Sequence, residues 1–219
     1  MKNTRRITSF LTLLCACLLV LSGCATKKMA LTNRKAPTPA TGTGLALFSL
    51  QLENRYKPTF QPKVRFMDVK SSAGKQARFG PDRPFKEEEK QFTKYLVSLE
   101  LPPGHYNLGE VNGFSKNFWV AGHFKFPINA GFDVSAGRVV YVGAVRMVNR
   151  ERKEGEARSG GPFPLIDQAA TGFSGGTFDI EITDSNKDDL ANFSAAYPQF
   201  KPESVEKAIL VKTTGAARK

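Results

Sequence analysis

Cysteine is confined to the first 24 positions of this 219-residue chain, at Cys15, Cys17 and Cys24. Histidine occurs twice, at His105 and His123, and tryptophan once, at Trp119. Acidic residues are outnumbered, 20 against 32 basic ones, for a formal charge of +12. No apolar run reaches the ~20 residues that a membrane-crossing helix needs. Each scarcity excludes something. A chain without cysteine beyond position 24 has no disulfide framework and no thiol nucleophile in its body. Two histidines, neither with a second ligand at metal spacing, predict no metal site. No cofactor is expected either: "GTGLAL" lacks the third glycine and the following helix of a dinucleotide loop. No internal repeat is visible.

What is present begins at the amino end. Residues 1–23 carry Lys2, Arg5 and Arg6, no acid, and an apolar stretch over 7–21. This is the layout of a secretory signal. It ends in Leu21, Ser22, Gly23 and Cys24, which resembles the lipobox of bacterial lipoprotein signal peptides. The resemblance implies cleavage before Cys24, lipid on its thiol and usually an acylated amino terminus. Two or more acyl chains, at about 0.8 kcal/mol per buried CH₂, hold stably to a membrane. Position 25 is Ala, not the Asp of the proteobacterial inner-membrane retention signal, which points to the outer membrane, facing the periplasm or the cell surface. Removing the signal leaves 29 basic residues against 20 acidic ones, a charge of +9. Anionic headgroups, lipopolysaccharide phosphates or acidic wall polymers are the expected counterparts of such a surface. Nucleic acid is not an expected partner for an exported protein.

Three regions follow. Residues 24–42 are expected to form a lipidated amino terminus and a flexible basic tether with Lys27, Lys28, Arg34 and Lys35. Residues 43–219 read as a single domain. Within it, Ala46, Phe48, Leu50 and Leu52 alternate as in a strand, and 62–69 is a weaker strand. Residues 71–90, rich in Gly, Pro and charge, read as a loop. Tyr95, Val97, Leu99 and Leu101 alternate up to Pro102-Pro103-Gly104, and Tyr106, Leu108 and Val111 continue beyond it. That pattern predicts two antiparallel strands about a turn. Phe118, Val120, Phe124, Phe126 and Ile128 share one parity, and Phe118, Phe124 and Phe126 are assigned to the core. Val139–Val142 is apolar on both parities, as in a strand covered on two faces. Residues 150–176 form a long loop insertion. Phe178, Ile180 and Ile182 mark a further strand. A helix near 185–197 is predicted, with Ser185 as cap, Asp188 three residues later and Pro198 as stop. The segment 205–212 adds a final strand or helical turn.

Three stretches, "LPPGHY" (101–106), "SAGRVVYVG" (135–143) and "FDIEITDSNKDDLANFSAAYP" (178–198), resemble a family of poorly characterised bacterial lipoproteins. The folded part of that family is a carboxypeptidase regulatory-like or transthyretin-like β-sandwich. The resemblance covers about 43–200. It implies a mainly β fold, an antiparallel transthyretin-like or Ig-like sandwich with one C-terminal α-helix, used for binding or scaffolding without chemistry.

Tests for chemistry return little. "GFSGG" (172–176) fits a nucleophile elbow around Ser174, but a loop precedes it, a strand follows, and no histidine occurs after His123. The best binding candidate is the aromatic stretch 114–126. There Trp119, with His123 and Lys125 on the same parity, forms a candidate partner-binding group. Two placements stay open for Trp119, exposed or covered by a sheet or loop, with the covered one preferred. The expectation is a non-enzymatic, outer-membrane-anchored accessory or binding subunit of an envelope assembly. The alternatives are a direct binder of an acidic envelope glycan or lipid, and a hydrolase using Ser174.

Overall fold

The computed structural model describes residues 25–31, 39–81, 83–88, 91–161 and 168–213. The signal segment with Leu21, Ser22, Gly23 and Cys24 lies outside them, as do 32–38 and 162–167. The described chain is mainly β. Its strands are β1 (Thr26–Lys27), β2 (Gly44–Asn54), β3 (Lys63–Ser71), β4 (Gln76–Phe79), β5 (Lys86–Glu88), β6 (Phe92–Leu101), β7 (Gly104–Asn117), β8 (Val120–Val134), β9 (Val139–Glu151), β10 (Gly176–Thr183), β11 (Val205–Lys207) and β12 (Val211–Lys212). One α-helix, α1 (Asn186–Ala196), follows β10. None of the described helices is long and apolar enough to cross a membrane.

The strands form two sheets. The first has the order β1-β4-β3-β7-β8-β12, the second β10-β9-β2-β6-β5 with β11 also on β9. The alternation read from sequence sets the inner faces. Phe48, Leu50, Leu52, Val97 and Leu99 from the second sheet share one buried cluster with Met67, Leu108, Val111 and Phe126 from the first. The opposite parity of the second sheet, Leu45, Leu47, Val139 and Tyr141, lies under Leu190 and Phe193 of α1. Both parities of Val139–Val142 are therefore buried, each for its own reason.

Several expectations need correction. The sheets are mixed, not antiparallel: β2 and β11 each pair with β9 in parallel, and β1 with β4. Alternation reports which face is buried and says nothing about the direction of the neighbour. The 102–104 turn does not close a hairpin. It carries the chain from β6 in the second sheet to β7 in the first, and the Tyr106 hydroxyl fastens the corner by donating to the Pro102 carbonyl at 2.8 Å. The 71–90 loop contains β4 and β5. Ser185 takes the cap position of α1 but makes no capping bond through its side chain. The Asn186 N–H is instead accepted by the Asp184 carboxylate at 3.1 Å.

The ends of the described chain are tied down. Residues 25–31, expected in the tether, are packed on the body. β1 pairs with β4 in the first sheet. Then Ala30 and Leu31 donate their N–H groups to the carbonyl and hydroxyl of Ser98 in the second sheet, each at 2.9 Å. Met29 and Leu31 are buried. The other end does the same across the opposite seam. β11 lies on β9, Leu210 N–H donates to Val142, and β12 lies on β8.

Candidate functional site

The candidate site is the tip of the hairpin formed by β7 and β8. Asn117 pairs with Val120, so Phe118 and Trp119 are the whole of a two-residue turn. The neighbouring strand β3 makes its last pair at Lys63 with Phe114. The hairpin therefore projects past its sheet by about three residues, roughly 10 Å at the rise of a strand. On its other side it is propped by the 152–175 excursion. Lys125 N–H donates to the Ser159 carbonyl at 3.0 Å, and His123 N–H to Gln168 Oε1 at 2.7 Å. Gly122 permits this contact, since a Cβ there would lie 2.2 Å from Thr171 Oγ1. Phe173, in the same excursion, is fully buried against Phe124 and Phe178. The described part of the insertion thus belongs to the body.

Phe118 is 88% exposed and Trp119 93% exposed. Phe118 was assigned to the core by parity. The structure puts Phe118 in solvent and leaves Val120 exposed too, because the strand reverses where the alternation runs on. Trp119 takes the exposed placement. The two rings lie 6.3 Å apart at 46°. Rings of this kind offer a large apolar area with few side-chain torsions to freeze. Such a pair held in water on a stiff stem is suited to docking into a pocket on something else.

His123 and Lys125 are also exposed, on the outward face of β8. Lys125 is committed to Glu110, Nζ to Oε2 at 2.8 Å. Six residues, roughly 20 Å along a strand, separate it from Trp119. The three residues share one hairpin and do not converge on one contact point.

Other chemical candidates are placed as follows. Ser174 is buried in the turn before β10, where its carbonyl accepts from Arg158 at 2.7 Å. A strand follows it, not the helix of a nucleophile elbow. His105 lies at the base of the hairpin with Nδ1 2.9 Å from Asp133, and His123 lies near its tip, so the fold separates the two histidines. Among the described residues no three His, Cys, Asp or Glu side chains cluster as a metal would require. A shallow cleft of about 400 Å³ is lined by Glu53, Arg55, Gln91, Phe92 and Arg146. Both guanidinium groups are spent on Glu53, at 2.6 and 2.7 Å. Partial burial pushes the Glu53 carboxyl up, and the two arginines outweigh it and hold it below its ordinary value.

One buried group was missed by the sequence reading. Asp189, on the first turn of α1, is fully buried and accepts from Ser49 Oγ at 2.6 Å, Tyr141 OH at 2.7 Å and Lys94 Nζ at 2.9 Å. The signal was available: Asp189 stands one turn before Phe193 and beside Leu190, both apolar. The site fastens the helix to the second sheet. Each partner is satisfied by the carboxylate, and nothing is left over for a ligand.

No protein-family profile matches the chain, and no curated protein matches it. A solved leucine-rich repeat protein from Bacteroides thetaiotaomicron is similar over 48% of this chain, at 13% identity and a TM-score of 0.34. The chain spans 14% of that protein's length, and the likeness is too slight to bear on fold or function.

Proposed function

We propose that this chain is an outer-membrane lipoprotein, anchored through lipid on Cys24 and non-enzymatic, that serves as a binding subunit of an envelope assembly. Its two sheets are read as the layers of a β-sandwich, supported by the single cluster to which both contribute. The observation that carries the function is the exposed pair Phe118 and Trp119 at the end of a projecting, propped hairpin. A protein pocket is the occupant that best matches two adjacent aromatic rings, which dominate the energetics of protein interfaces.

The test is affinity purification of the lipidated protein from its own membranes in mild detergent, beside Phe118→Ala/Trp119→Ala and Cys24→Ala controls. A stoichiometric protein partner lost in the tip variant is the expected result. A hot-spot residue contributes about 2 kcal/mol or more, so Trp119→Ala alone weakens the complex about 30-fold. Retention of only glycan or lipid, released by salt and indifferent to the tip, overturns this reading in favour of a direct binder of an acidic envelope polymer.

A further inference from the structure

The packing of residues 25–31 bears on how the body stands on a membrane, given the anchor proposed at Cys24. Thr26 pairs with Arg78, and Arg78 with Asp68. Asp68 lies between Met67, opposite Val111, and Val69, opposite Leu108. Thr26 is therefore level with the middle of the hairpin, some eight or nine residues short of Phe118, roughly 30 Å along the strand. β1 runs parallel to β4, which heads from the β3–β4 turn toward the tip end. The chain thus enters from the side of that turn, away from Trp119. Cys24 is two residues before Thr26, within about 7 Å of it at full extension. No tether of eighteen residues intervenes.

The end of the body on that side is basic. Lys70 and Lys75 flank the turn between β3 and β4. Both are exposed, and neither is among the ion pairs of the described residues. Of the acids nearby, Asp68 is paired with Arg78 at 3.2 Å, and Asp133 shares a hydrogen bond with His105 Nδ1 at 2.9 Å. We infer that Lys70 and Lys75 form a contact surface for anionic phospholipid headgroups beside the anchor, and that this contact holds the body with Phe118 and Trp119 directed away from its own membrane. The lysines meet phosphate where the lipid holds them close, and surface potentials act within a Debye length of about 10 Å. The aromatic tip lies well beyond that range, so its partner is met on the far side of the body.

The chain supplies its own reporters. Trp119 is the only tryptophan. Once 1–23 is removed, Cys24 is the only cysteine and its thiol carries lipid, so an Ala73→Cys variant takes a single fluorophore in the β3–β4 turn. The mature acylated protein is placed in vesicles of phosphatidylethanolamine and phosphatidylglycerol that contain a spin-labelled quencher lipid. The expected result is loss of emission from the label at position 73 and none from Trp119, which stays open to quenching by iodide. Replacing phosphatidylglycerol with a neutral lipid, or introducing Lys70→Glu and Lys75→Glu, restores the label's emission while the protein still floats with the vesicles. Quenching of Trp119 by lipid overturns the inference, since the hairpin then lies on the bilayer. A label indifferent to lipid charge overturns the headgroup contact. A protein that does not float with vesicles, or whose Cys24 peptide has the mass of the free thiol, removes the anchor itself and the inference with it.

Discussion

At the scale of single residues, Asp189 is the most consequential side chain in the second sheet's outer layer. It is a buried carboxylate with three donors, one of them a lysine. Removing one partner of a buried ion pair leaves the other uncompensated and costs about 3–5 kcal/mol. Asp189→Ala is expected to lower unfolding free energy by about that much in urea titration. Asp189→Asn keeps the shape and an acceptor for one hydroxyl, and loses less. Tyrosines set a second expectation. Burial pushes the Tyr95 hydroxyl up to about 12, against the opposing effect of the Val64 N–H it accepts. Burial and the neighbouring Asp189 raise Tyr141 as well. A folded pKa above the ordinary value of 10 means that the native state keeps its proton longer than the unfolded chain. That contribution is intact below pH 10 and is lost as pH rises toward 12. Burial raises Tyr106 in the same direction, so tyrosinate absorbance, followed alongside circular dichroism, should show Tyr95, Tyr106 and Tyr141 titrating late and together with unfolding.

At the scale of elements, the hairpin and the 152–175 excursion depend on each other. Gly122→Val drives a side chain into Thr171, and overpacking of this kind costs about 1–3 kcal/mol. The expected outcome is faster hydrogen exchange over 168–175 and a weaker hold on any partner that docks at the tip, with β2, β6 and β9 still protected. The sequence made the strands legible and their ends illegible. Period-two alternation located β2, β6, β8 and β10 because one face of each meets the shared core, and the doubly apolar run Val139–Val142 located β9. The reversal at Phe118-Trp119 carries no Gly, Pro or Asn at its two turn positions, and Val120 and Phe124 keep parity with Phe118. Nothing in the pattern marks the reversal, and the parity rule therefore buried a residue that stands in water. At Pro102-Pro103-Gly104 the opposite happened. The turn was clear, but local chemistry cannot tell a hairpin from a corner between sheets. Asp189 was on the predicted helix, yet its partners Ser49, Lys94 and Tyr141 come from three separate strands, a coincidence only the assembled fold creates.

At the scale of the whole molecule, the chain closes itself at both seams. Residues 26–31 lace β4 to β6 on one side, and 205–212 lace β9 to β8 on the other. The amino-side lacing was not legible, and of the other only a final strand or helical turn over 205–212 was, without its partners. β1 and β12 are two residues each, too short for any period to register, and the run of lysines around Met29 and Leu31 reads as solvated chain. The basic surplus was visible as a total and became informative only once β3 and β4 placed Lys70 and Lys75 at one end.

The lacing on the amino side also has a mechanical meaning. A load drawn through residue 25 reaches the body by way of a two-residue pairing and the seating of Met29 and Leu31, before any of the long strands feels it. That link is the first to part. When it does, the segment 25–31 comes away, roughly 25 Å at full stretch, while the long strands keep their pairing. Given the anchor proposed at Cys24, this segment would act as a breakaway strap under tension. It would trade a fixed standoff for reach without unfolding the hairpin.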